Sequence, residues 1–343
     1  MRAWRVHEFG APTDVLRVDD VDPPEPGPGE VQINVEAVTI NFNDIDGIRG
    51  RYRTLPLQPP YIPGMEVLGR VQAAGDGSEA LIGRRVCAVP AGAFGGYAEV
   101  AVAPVAMTFP MPEEMDTATA ASIYMPFHVA YLALYDRGHL SAEDTVLVHA
   151  AAGGAGSAAV QLARARGARV IATAGSPQKL ALATELGADV AIDYRKDDFV
   201  SRVLEATAGR GVDVAFDTVG GPTTIETFRC MAFGSRHLLV GFASGIEAED
   251  EGIVPRPVLF GNFSLVGVCH AYTDDALEFK RATGLNFPSH ADGVRVHEDL
   301  LRMIDAGTIR PIAGSTTSFL DLPEIVRAME SRATIGRNAV IVD

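Results

Sequence analysis

Near the middle of the chain, an apolar run leads directly into closely spaced glycines, and the stretch reads TVLVHAAAGGAGSAA from Thr145 to Ala159. Residues 145–149 are apolar and β-branched, as in a buried strand, and a helix with one apolar face is predicted over 156–166. The small residues fit the G-x-G-x-x-G/A spacing of a strand-to-helix turn, where helix N–H groups bind a pyrophosphate. The alternative is a Gly-rich tight turn in another kind of α/β domain. The strand-turn-helix context favours dinucleotide binding by Gly153, Gly154, Ala155 and Gly156.

Downstream of this stretch, predicted strands and helices alternate. Further strands are predicted over 168–172, 190–192, 212–216, 237–240 and 264–268, and helices over 177–186 and 199–206. This alternation indicates a parallel, doubly wound α/β sheet with right-handed crossovers. The sequence therefore predicts a Rossmann domain over residues 124–270.

The N-terminal third of the chain has a different texture. Short runs of alternating apolar and polar residues, such as Val31–Val38, are punctuated by Gly and Pro, which predicts a β-rich, partly open barrel. The tail carries predicted helices and a final strand that lack partners of their own (299–306, 322–331 and 339–342). We expect them to fold back onto the barrel, so that residues 1–123 and 271–343 form one discontinuous domain. The irregular segment 276–296 receives no role.

The end of the second predicted strand indicates which dinucleotide is bound. NAD-binding fingerprints carry Asp or Glu about 20 residues after the glycines, bonded to the ribose 2′-hydroxyl. Here the segment reads TAGSPQK from Thr173 to Lys179, without an acid. Ser176 can donate a hydrogen bond and Lys179 adds a positive charge, which suits the 2′-phosphate of NADPH. Ser176 also fits a helix N-cap before Pro177, and the two roles are compatible.

Composition and charge exclude several classes of function. The formal net charge is −15 and there is no basic run, so no nucleic-acid partner is expected. No stretch reaches the roughly 18 apolar residues of a membrane span, and the N-terminus has no signal-peptide core. The three cysteines lack a CxxC pair. This pattern fits a reducing compartment and predicts a cytoplasmic protein with no membrane partner.

Several short segments together match one family. They are Asn41-Phe42-Asn43-Asp44, Arg49-Gly50-Arg51-Tyr52, PGMEVLG at 63–69, GGYAE at 95–99, the glycine-rich stretch 150–161 and ESRAT at 330–334. On these residues the chain resembles, over nearly its whole length, the quinone oxidoreductase (zeta-crystallin-like) family of zinc-free medium-chain dehydrogenases/reductases. The resemblance implies a GroES-like catalytic domain with a Rossmann domain, and NADPH-dependent reduction of quinones. It also implies a homodimer that pairs through the Rossmann edge strand 264–268.

The same resemblance implies roles for individual residues. Lys179 and Tyr194 would contact the 2′-phosphate, and Arg332 would reach the cofactor from the tail. Asn41 and Tyr52 would face the substrate, and Asn41 could also contact the nicotinamide amide. The nicotinamide side would be lined by Gly241, Phe242 and Ser244.

Two positions depart from the family pattern. Asp46 stands where many relatives have an aromatic residue, and Val129 stands where many have Thr. A carboxylate and an isopropyl group cannot replace a phenol and a hydroxyl, so these departures leave the choice of substrate open. Asp46 itself is interpreted as an exposed loop carboxylate, with a role as an acid as the alternative if it is buried.

A metal is not expected, because zinc enzymes of this superfamily carry a His-Glu pair where this chain has Met65-Glu66. Without a Lewis acid, an activated acceptor is easier to reduce than an unactivated alcohol is to oxidise. The candidate catalytic residues are Asn41 and Tyr52 as hydrogen-bond donors, with a turn-capping Asn and a packing Tyr as the alternatives. Two other functions stay open: reduction of the C=C bond of enals or enones, and non-catalytic NADPH binding by a redox sensor.

Overall fold

The computed structural model describes residues 1–244, 246 and 252–342. Its contacts divide the chain into two compact units. The first unit comprises Met1–Tyr124, Ala271–His297 and Pro311–Asp343, and the second comprises Met125–His270 and Glu298–Arg310. The boundaries predicted from the sequence differ at two places, because they assign Tyr124 to the Rossmann domain and 298–310 to the barrel-like domain.

Residues 298–310 belong to the second unit because polar side chains bind them there. Tyr131 Oη donates a hydrogen bond to Asp299 Oδ2 at 2.6 Å. The Gln161 carboxamide donates to the Arg310 carbonyl at 2.9 Å and accepts from the Arg310 N–H at 2.8 Å. Gln161 lies in the glycine-rich stretch itself, so one residue of that motif serves to anchor a distant segment.

The elements of the described residues are numbered along the chain. The strands are β1 (Arg2–Val6), β2 (Leu16–Asp20), β3 (Glu30–Thr39), β4 (Val67–Ala74), β5 (Arg85–Ala88), β6 (Val100–Pro104), β7 (Thr108–Pro110), β8 (Thr145–Val148), β9 (Arg169–Ala174), β10 (Val190–Asp193), β11 (Val212–Asp217), β12 (Met231–Leu239), β13 (Ser264–Gly267), β14 (Ala313–Ser318) and β15 (Arg337–Ile341). The α-helices are α1 (Pro12–Val15), α2 (Phe42–Ile48), α3 (Thr117–Ala121), α4 (Tyr124–Tyr131), α5 (Gly154–Ala165), α6 (Pro177–Glu185), α7 (Phe199–Ala206), α8 (Pro222–Thr227), α9 (Pro255–Gly261), α10 (Ala276–Thr283), α11 (His290–Asp305) and α12 (Leu322–Glu330).

The second unit contains a parallel sheet with the strand order β10-β9-β8-β11-β12-β13. Counted within the sheet, this is the order 3-2-1-4-5-6 of dinucleotide-binding Rossmann domains, which reverses between β8 and β11. The central strand β8 reads TVLV and is completely buried, as expected for a mainly apolar strand at the centre of a parallel sheet. The prediction of a doubly wound α/β domain is confirmed.

The first unit is built around the long strand β3. Its residues alternate between buried and more exposed positions, as expected for a strand with one face on the core. One side of β3 pairs with β4. The other side pairs with β6 over Glu30–Asn34 and with β15 over Ala37–Thr39, all antiparallel. The final strand therefore completes the sheet begun by the N-terminal residues, which is the GroES-like arrangement.

Helix α11 begins at His290, nine residues earlier than the sequence predicted. Hydrogen bonds at its start and close packing around Gly293 account for the difference. The Asp292 carboxylate accepts hydrogen bonds from the N–H and the hydroxyl of Ser289. Gly293 lowers the helix propensity of the segment. A Cβ at Gly293 would lie 2.7 Å from the Phe109 ring, so close packing accounts for the glycine. The segment 276–296 is therefore largely helical.

Each unit has a buried apolar core. In the first unit the core joins β-branched residues of β3 and β4 to side chains of α12, such as Leu322 and Val326. In the second unit a core cluster joins residues of the sheet, such as Leu147 and Ile171, to Phe199 and Val203 of α7. These cores hold the strand ends that carry the candidate sites.

Candidate functional sites

The glycine-rich loop turns tightly between β8 and α5. Ala150 adopts a left-handed conformation (φ 50°), and the Gly153 N–H donates to the Ala150 carbonyl at 2.9 Å. A Cβ on Gly156 would lie 2.2 Å from that carbonyl oxygen, so only glycine fits there. The predicted residues Gly153, Gly154, Ala155 and Gly156 thus lie together at the N-terminus of α5.

A buried histidine lies directly beneath this loop. The imidazole of His149 forms hydrogen bonds with Thr173 Oγ1 through Nδ1 (3.0 Å) and with Thr227 Oγ1 through Nε2 (2.9 Å). Burial lowers the pKa of His149 to about 4, so the ring is neutral at physiological pH. Sequence reasoning did not select this residue. It ties β8, β9 and α8 together under the loop through uncharged hydrogen bonds.

Three predicted residues gather around the carboxyl end of β9. Ser176 caps α6, since its hydroxyl accepts from the Lys179 N–H at 3.3 Å. The hydroxyl of Tyr194 lies 2.6 Å from the position of a Cβ on Gly175. Arg195 Nε lies 3.1 Å from the same position. Sequence reasoning missed Arg195, although its place directly after Tyr194 was a usable signal.

The predicted nicotinamide-side residues follow β12 and pair with the segment after β11. The Gly241 N–H donates to the Asp217 carbonyl at 3.2 Å, and the Ser244 N–H donates to the Val219 carbonyl at 2.7 Å. Phe242 is 45% exposed. These hydrogen bonds place Gly241, Phe242 and Ser244 beyond the carboxyl ends of the strands, at the edge where open α/β sheets bind ligands.

Asp217 closes β11 with a second buried network. Its carboxylate accepts from the Val219 N–H at 2.8 Å, from Thr224 Oγ1 at 2.5 Å and from His237 Nε2 at 3.1 Å. Burial raises the pKa of Asp217, but hydrogen bonding and the nearby histidines outweigh burial and hold the pKa well below its usual range. The carboxylate is therefore ionised, and it fixes the turn that follows β11.

In the first unit, Asn41 lies in a buried network at the end of β3. Arg337 Nη2 donates to Asn41 Oδ1 and to Thr39 Oγ1, both at 2.8 Å, and forms an ion pair with Glu66. Thr39 Oγ1 also donates to Glu66 Oε2 at 2.5 Å. Within the described residues, the buried Nδ2 of Asn41 has no hydrogen-bond partner. The network thus leaves one polar group of Asn41 for a ligand.

Asp44 holds the same residue through its main chain. Its Oδ2 accepts from the Asn41 N–H at 2.8 Å and from Tyr97 Oη at 3.0 Å. Burial raises the pKa of Asp44 to about 6, against the opposing effect of these hydrogen bonds and of Arg337. Neither Asp44 nor Arg337 was predicted as a site residue.

The structure places the other predicted residues of the first unit as follows. Tyr52 is half-buried and packs edge-to-face against Phe94, with the ring centroids 5.4 Å apart. Arg332 is exposed after α12, in a left-handed conformation (φ 59°). The interpretation of Asp46 as an exposed loop carboxylate is wrong. It lies within α2, is 6% exposed and forms an ion pair with Arg51 at 2.8 Å, because the helix turns it inward.

Comparisons with known proteins agree with this geometry. The zinc-binding dehydrogenase model matches residues 154–282, and the alcohol dehydrogenase GroES-like domain model matches residues 27–113. The chain is 31% identical to the quinone oxidoreductase of Rattus norvegicus over 92% of this chain and 89% of the relative. The chain belongs to the medium-chain dehydrogenase/reductase superfamily. Within that superfamily it falls in the quinone oxidoreductase family, and it is an oxidoreductase.

Two further relatives show the breadth of this family. The structure of Escherichia coli quinone oxidoreductase complexed with NADPH has a TM-score of 0.85 and 28% identity, and covers 99% of this chain and 100% of its own. The rat synaptic vesicle membrane protein VAT-1 homolog is 31% identical over 92% of this chain and 77% of its own length. Relatives with different names share the fold, so the substrate must be argued from the site.

In the part of the chain that the structure describes, no group of three or more His, Cys, Asp or Glu side chains could hold a metal ion. Met65 occupies the position next to Glu66 where the zinc enzymes of the superfamily carry histidine. Among the described helices, none is long and apolar enough to cross a membrane.

Proposed function

We propose that this oxidoreductase binds NADPH in its second unit and reduces quinones by hydride transfer without a metal. The observation that carries the proposal is the carboxyl end of β9, where Ser176, Lys179 and Tyr194 gather and the segment Thr173–Lys179 contains no acid. A carboxylate there would bind the 2′-hydroxyl of NADH and repel the 2′-phosphate of NADPH.

The residues of the second unit fit NADPH. A Cβ on Gly156 would meet the backbone of Ala150 and Ala151, so glycine at this position permits the tight turn that brings the loop to the start of α5. The free N–H groups at the start of α5 carry the positive end of the helix dipole. Lys179 and Arg195 bring positive charge to the carboxyl end of β9, in a chain whose net charge is −15. NADPH, when bound, supplies the hydride.

The residues of the first unit would serve the acceptor. As a quinone is reduced, negative charge develops on its carbonyl oxygen. A preorganised N–H or O–H donor stabilises that charge without a metal. Asn41 Nδ2 has no partner among the described residues, and the Tyr52 phenol can also donate. We assign both residues to this role, with Asn41 also able to bind the nicotinamide carboxamide.

We also propose a homodimer through β13. This strand lies at the edge of the sheet and pairs only with β12 among the described strands. Large apolar side chains of β12 and α9 are exposed, with Phe233 85% and Leu259 and Phe260 each 70% exposed. Unpaired edge strands and exposed apolar patches favour pairing with another chain. Light scattering coupled to size exclusion tests this, and a monomer at working concentrations would contradict it.

The main proposal is tested by following NADPH absorbance with benzoquinone, phenanthrenequinone and an enal in parallel. NADH is the comparison cofactor, and Lys179→Ala is the test variant. Losing one charge-assisted hydrogen bond to the phosphate costs about 1.5–3 kcal/mol, so we expect the KM for NADPH to rise about 10- to 100-fold. Lys280→Ala, in α10 of the first unit, is the matched control and should behave like the wild type.

Each outcome assigns a function. Quinone turnover that prefers NADPH, and loses this preference in Lys179→Ala, supports the proposal. Turnover of the enal alone assigns the protein to C=C reduction. Tight NADPH binding without turnover of any acceptor assigns it to the redox-sensor alternative. A preference for NADH refutes the cofactor assignment.

A further inference from the structure

The side chain of Asn41 is oriented by a residue that can only donate hydrogen bonds. Arg337 Nη2 lies 2.8 Å from the terminal carboxamide atom assigned as Asn41 Oδ1. A guanidinium has five N–H donors and no acceptor. The carboxamide atom that faces Arg337 must therefore be the oxygen, and the nitrogen must point away from Arg337.

Arg337 is itself held in one position. Its Nη1 donates to the Ile40 carbonyl at 2.8 Å, and its Nη2 also contacts Thr39 and Glu66. Arg337 is 7% exposed and Glu66 is 2% exposed. A buried, paired guanidinium with several acceptors cannot rotate without losing all of them, so it provides a rigid support for Asn41.

The main chain of Asn41 is fixed from the other side. The Asn41 N–H donates to Asp44 Oδ2 at 2.8 Å, and Tyr97 Oη donates to the same oxygen at 3.0 Å. Of the Asn41 side chain, these contacts leave Nδ2, which is buried and without a partner in the described residues, as are Asp44 Oδ1 and Arg337 Nε. A buried donor without an acceptor is unfavourable, and a ligand oxygen would satisfy the donor on Asn41.

We propose that Arg337 is a positioning residue that turns the Asn41 carboxamide so that only N–H donors face the bound molecule. The site then selects a carbonyl oxygen. A carbonyl accepts such hydrogen bonds, and an oxyanion formed on it accepts them more strongly because the acceptor is charged. A group that can only donate finds no free acceptor on the Asn41 carboxamide, because its oxygen is bonded to Arg337. This inference rests on the proposed function, and it names two possible sources of the carbonyl: the acceptor substrate and the nicotinamide carboxamide.

The first experiment is Asn41→Asp, which keeps an oxygen for Arg337 and replaces the N–H donors by a second oxygen. Removing one donor to a developing oxyanion typically costs about 100- to 1,000-fold in rate. We expect a loss of that size in kcat/KM for benzoquinone if the substrate supplies the carbonyl. A rise in the Kd for NADPH instead assigns the carbonyl to the nicotinamide. Asn43→Asp, two residues further on in α2 and with the same change of charge, is the matched control. Wild-type values for both constants in Asn41→Asp would overturn the inference.

The second experiment separates positioning from a purely structural role. Arg337→Lys keeps the charge opposite Glu66 but cannot reproduce the planar fork of donors. If Arg337 acts through Asn41, Arg337→Lys should lower kcat/KM in the wild-type background. It should then have no further effect on kcat/KM in an Asn41→Ala background, although it still lowers the stability there. Equal losses of kcat/KM in both backgrounds would contradict a positioning role.

The third experiment requires no turnover, so it distinguishes failure of this inference from failure of the proposed function. Selective ¹⁵N-asparagine labelling gives side-chain amide signals, and the Asn41 pair is identified by its absence in Asn41→Asp. In the wild type these protons should be resolved and should shift when NADP⁺ or benzoquinone is added. In Arg337→Lys they should broaden or move. Asn41 signals that are identical in the wild type and Arg337→Lys would refute the orientation by Arg337, whatever the enzyme reduces.

Discussion

The two units each contain a buried polar network next to a candidate ligand site, and the networks differ in charge. Beneath the glycine-rich loop, His149 is neutral and both of its ring nitrogens are paired with threonine hydroxyls. Beside Asn41, the network contains the ion pair between Arg337 and Glu66 and the buried carboxyl of Asp44.

The difference follows from what each network must hold. The glycine-rich loop would bind its ligand with backbone N–H groups, whose directions are set once the chain path is set. Neutral hydrogen bonds that fix β8 and α8 are therefore sufficient to orient the loop N–H groups. Asn41 would bind with a carboxamide whose oxygen and nitrogen differ chemically but are nearly the same in size and geometry. A group restricted to donating selects the oxygen, and a buried arginine with its counter-ion meets that requirement.

The largest expected effect tests the charged network. Arg337→Met leaves Glu66 buried without its cation, and breaking a buried pair in this way costs about 3–5 kcal/mol. The chain has one tryptophan, Trp4, which is buried in the first unit, so its fluorescence during denaturant unfolding follows that unit. The double variant Glu66→Leu with Arg337→Met should recover most of the loss. A loss of no more than about 1 kcal/mol in the free energy of unfolding of the single variant, as for a surface pair, would contradict the claim that the network beside Asn41 depends on a buried charge.

The next effect tests the neutral network through its pH dependence. The pKa of His149 is lowered from 6.5 to about 4 in the folded chain, so the unfolded chain binds the additional proton between these values. Stability is therefore lost as pH falls through this window, by about 3 kcal/mol from this group. His149→Gln retains hydrogen bonding and does not titrate. Hydrogen exchange of β8 and β9 should show a weaker acid dependence in His149→Gln, and an unchanged dependence would exclude His149 as the source.

The glycine-rich loop provides a third test, of intermediate size. A methyl group at Gly156 would lie 2.2 Å from the Ala150 carbonyl, whereas one at Gly153 would lie 3.4 Å from the same oxygen. Overpacking of this kind costs about 1–3 kcal/mol. Because a displaced loop must regain its shape to bind NADPH, Gly156→Ala should weaken binding by up to that amount, about 5- to 150-fold. Gly153→Ala should weaken it less. Fluorescence titration with NADPH measures both, and equal losses would show that the methyl group acts on the ligand rather than on the turn.

The same contrast explains how much the sequence could predict. The loop, its flanking strands and the residues after β9 are contiguous in the chain, so spacing and periodicity reveal them. The hydrogen bond that orients Asn41 joins it to Arg337, 296 positions away, and no local pattern connects the two residues. Burial of Asp46 was missed for a related reason. The residue was predicted to lie in a loop, whereas the chain forms α2 there. Likewise, the contacts of Gln161 that hold 298–310 exist only in the folded chain.

The smallest effect that we predict concerns the hydroxyl of Tyr97, which donates to Asp44. The pKa of Asp44 is raised from 3.8 to about 6, so the folded chain binds the additional proton in this window and its stability falls as pH rises through it. Tyr97→Phe removes a donor that favours the ionised carboxyl, so the pKa of Asp44 should rise further. The variant should lose about 1–2 kcal/mol above pH 6 and less below it, where Asp44 is protonated. Trp4 fluorescence unfolding on both sides of pH 6 measures this, with Asp44→Asn as the control that removes the pH dependence. A loss that is independent of pH would mean that the hydroxyl serves packing alone, and that Asp44 is held without the help of Tyr97.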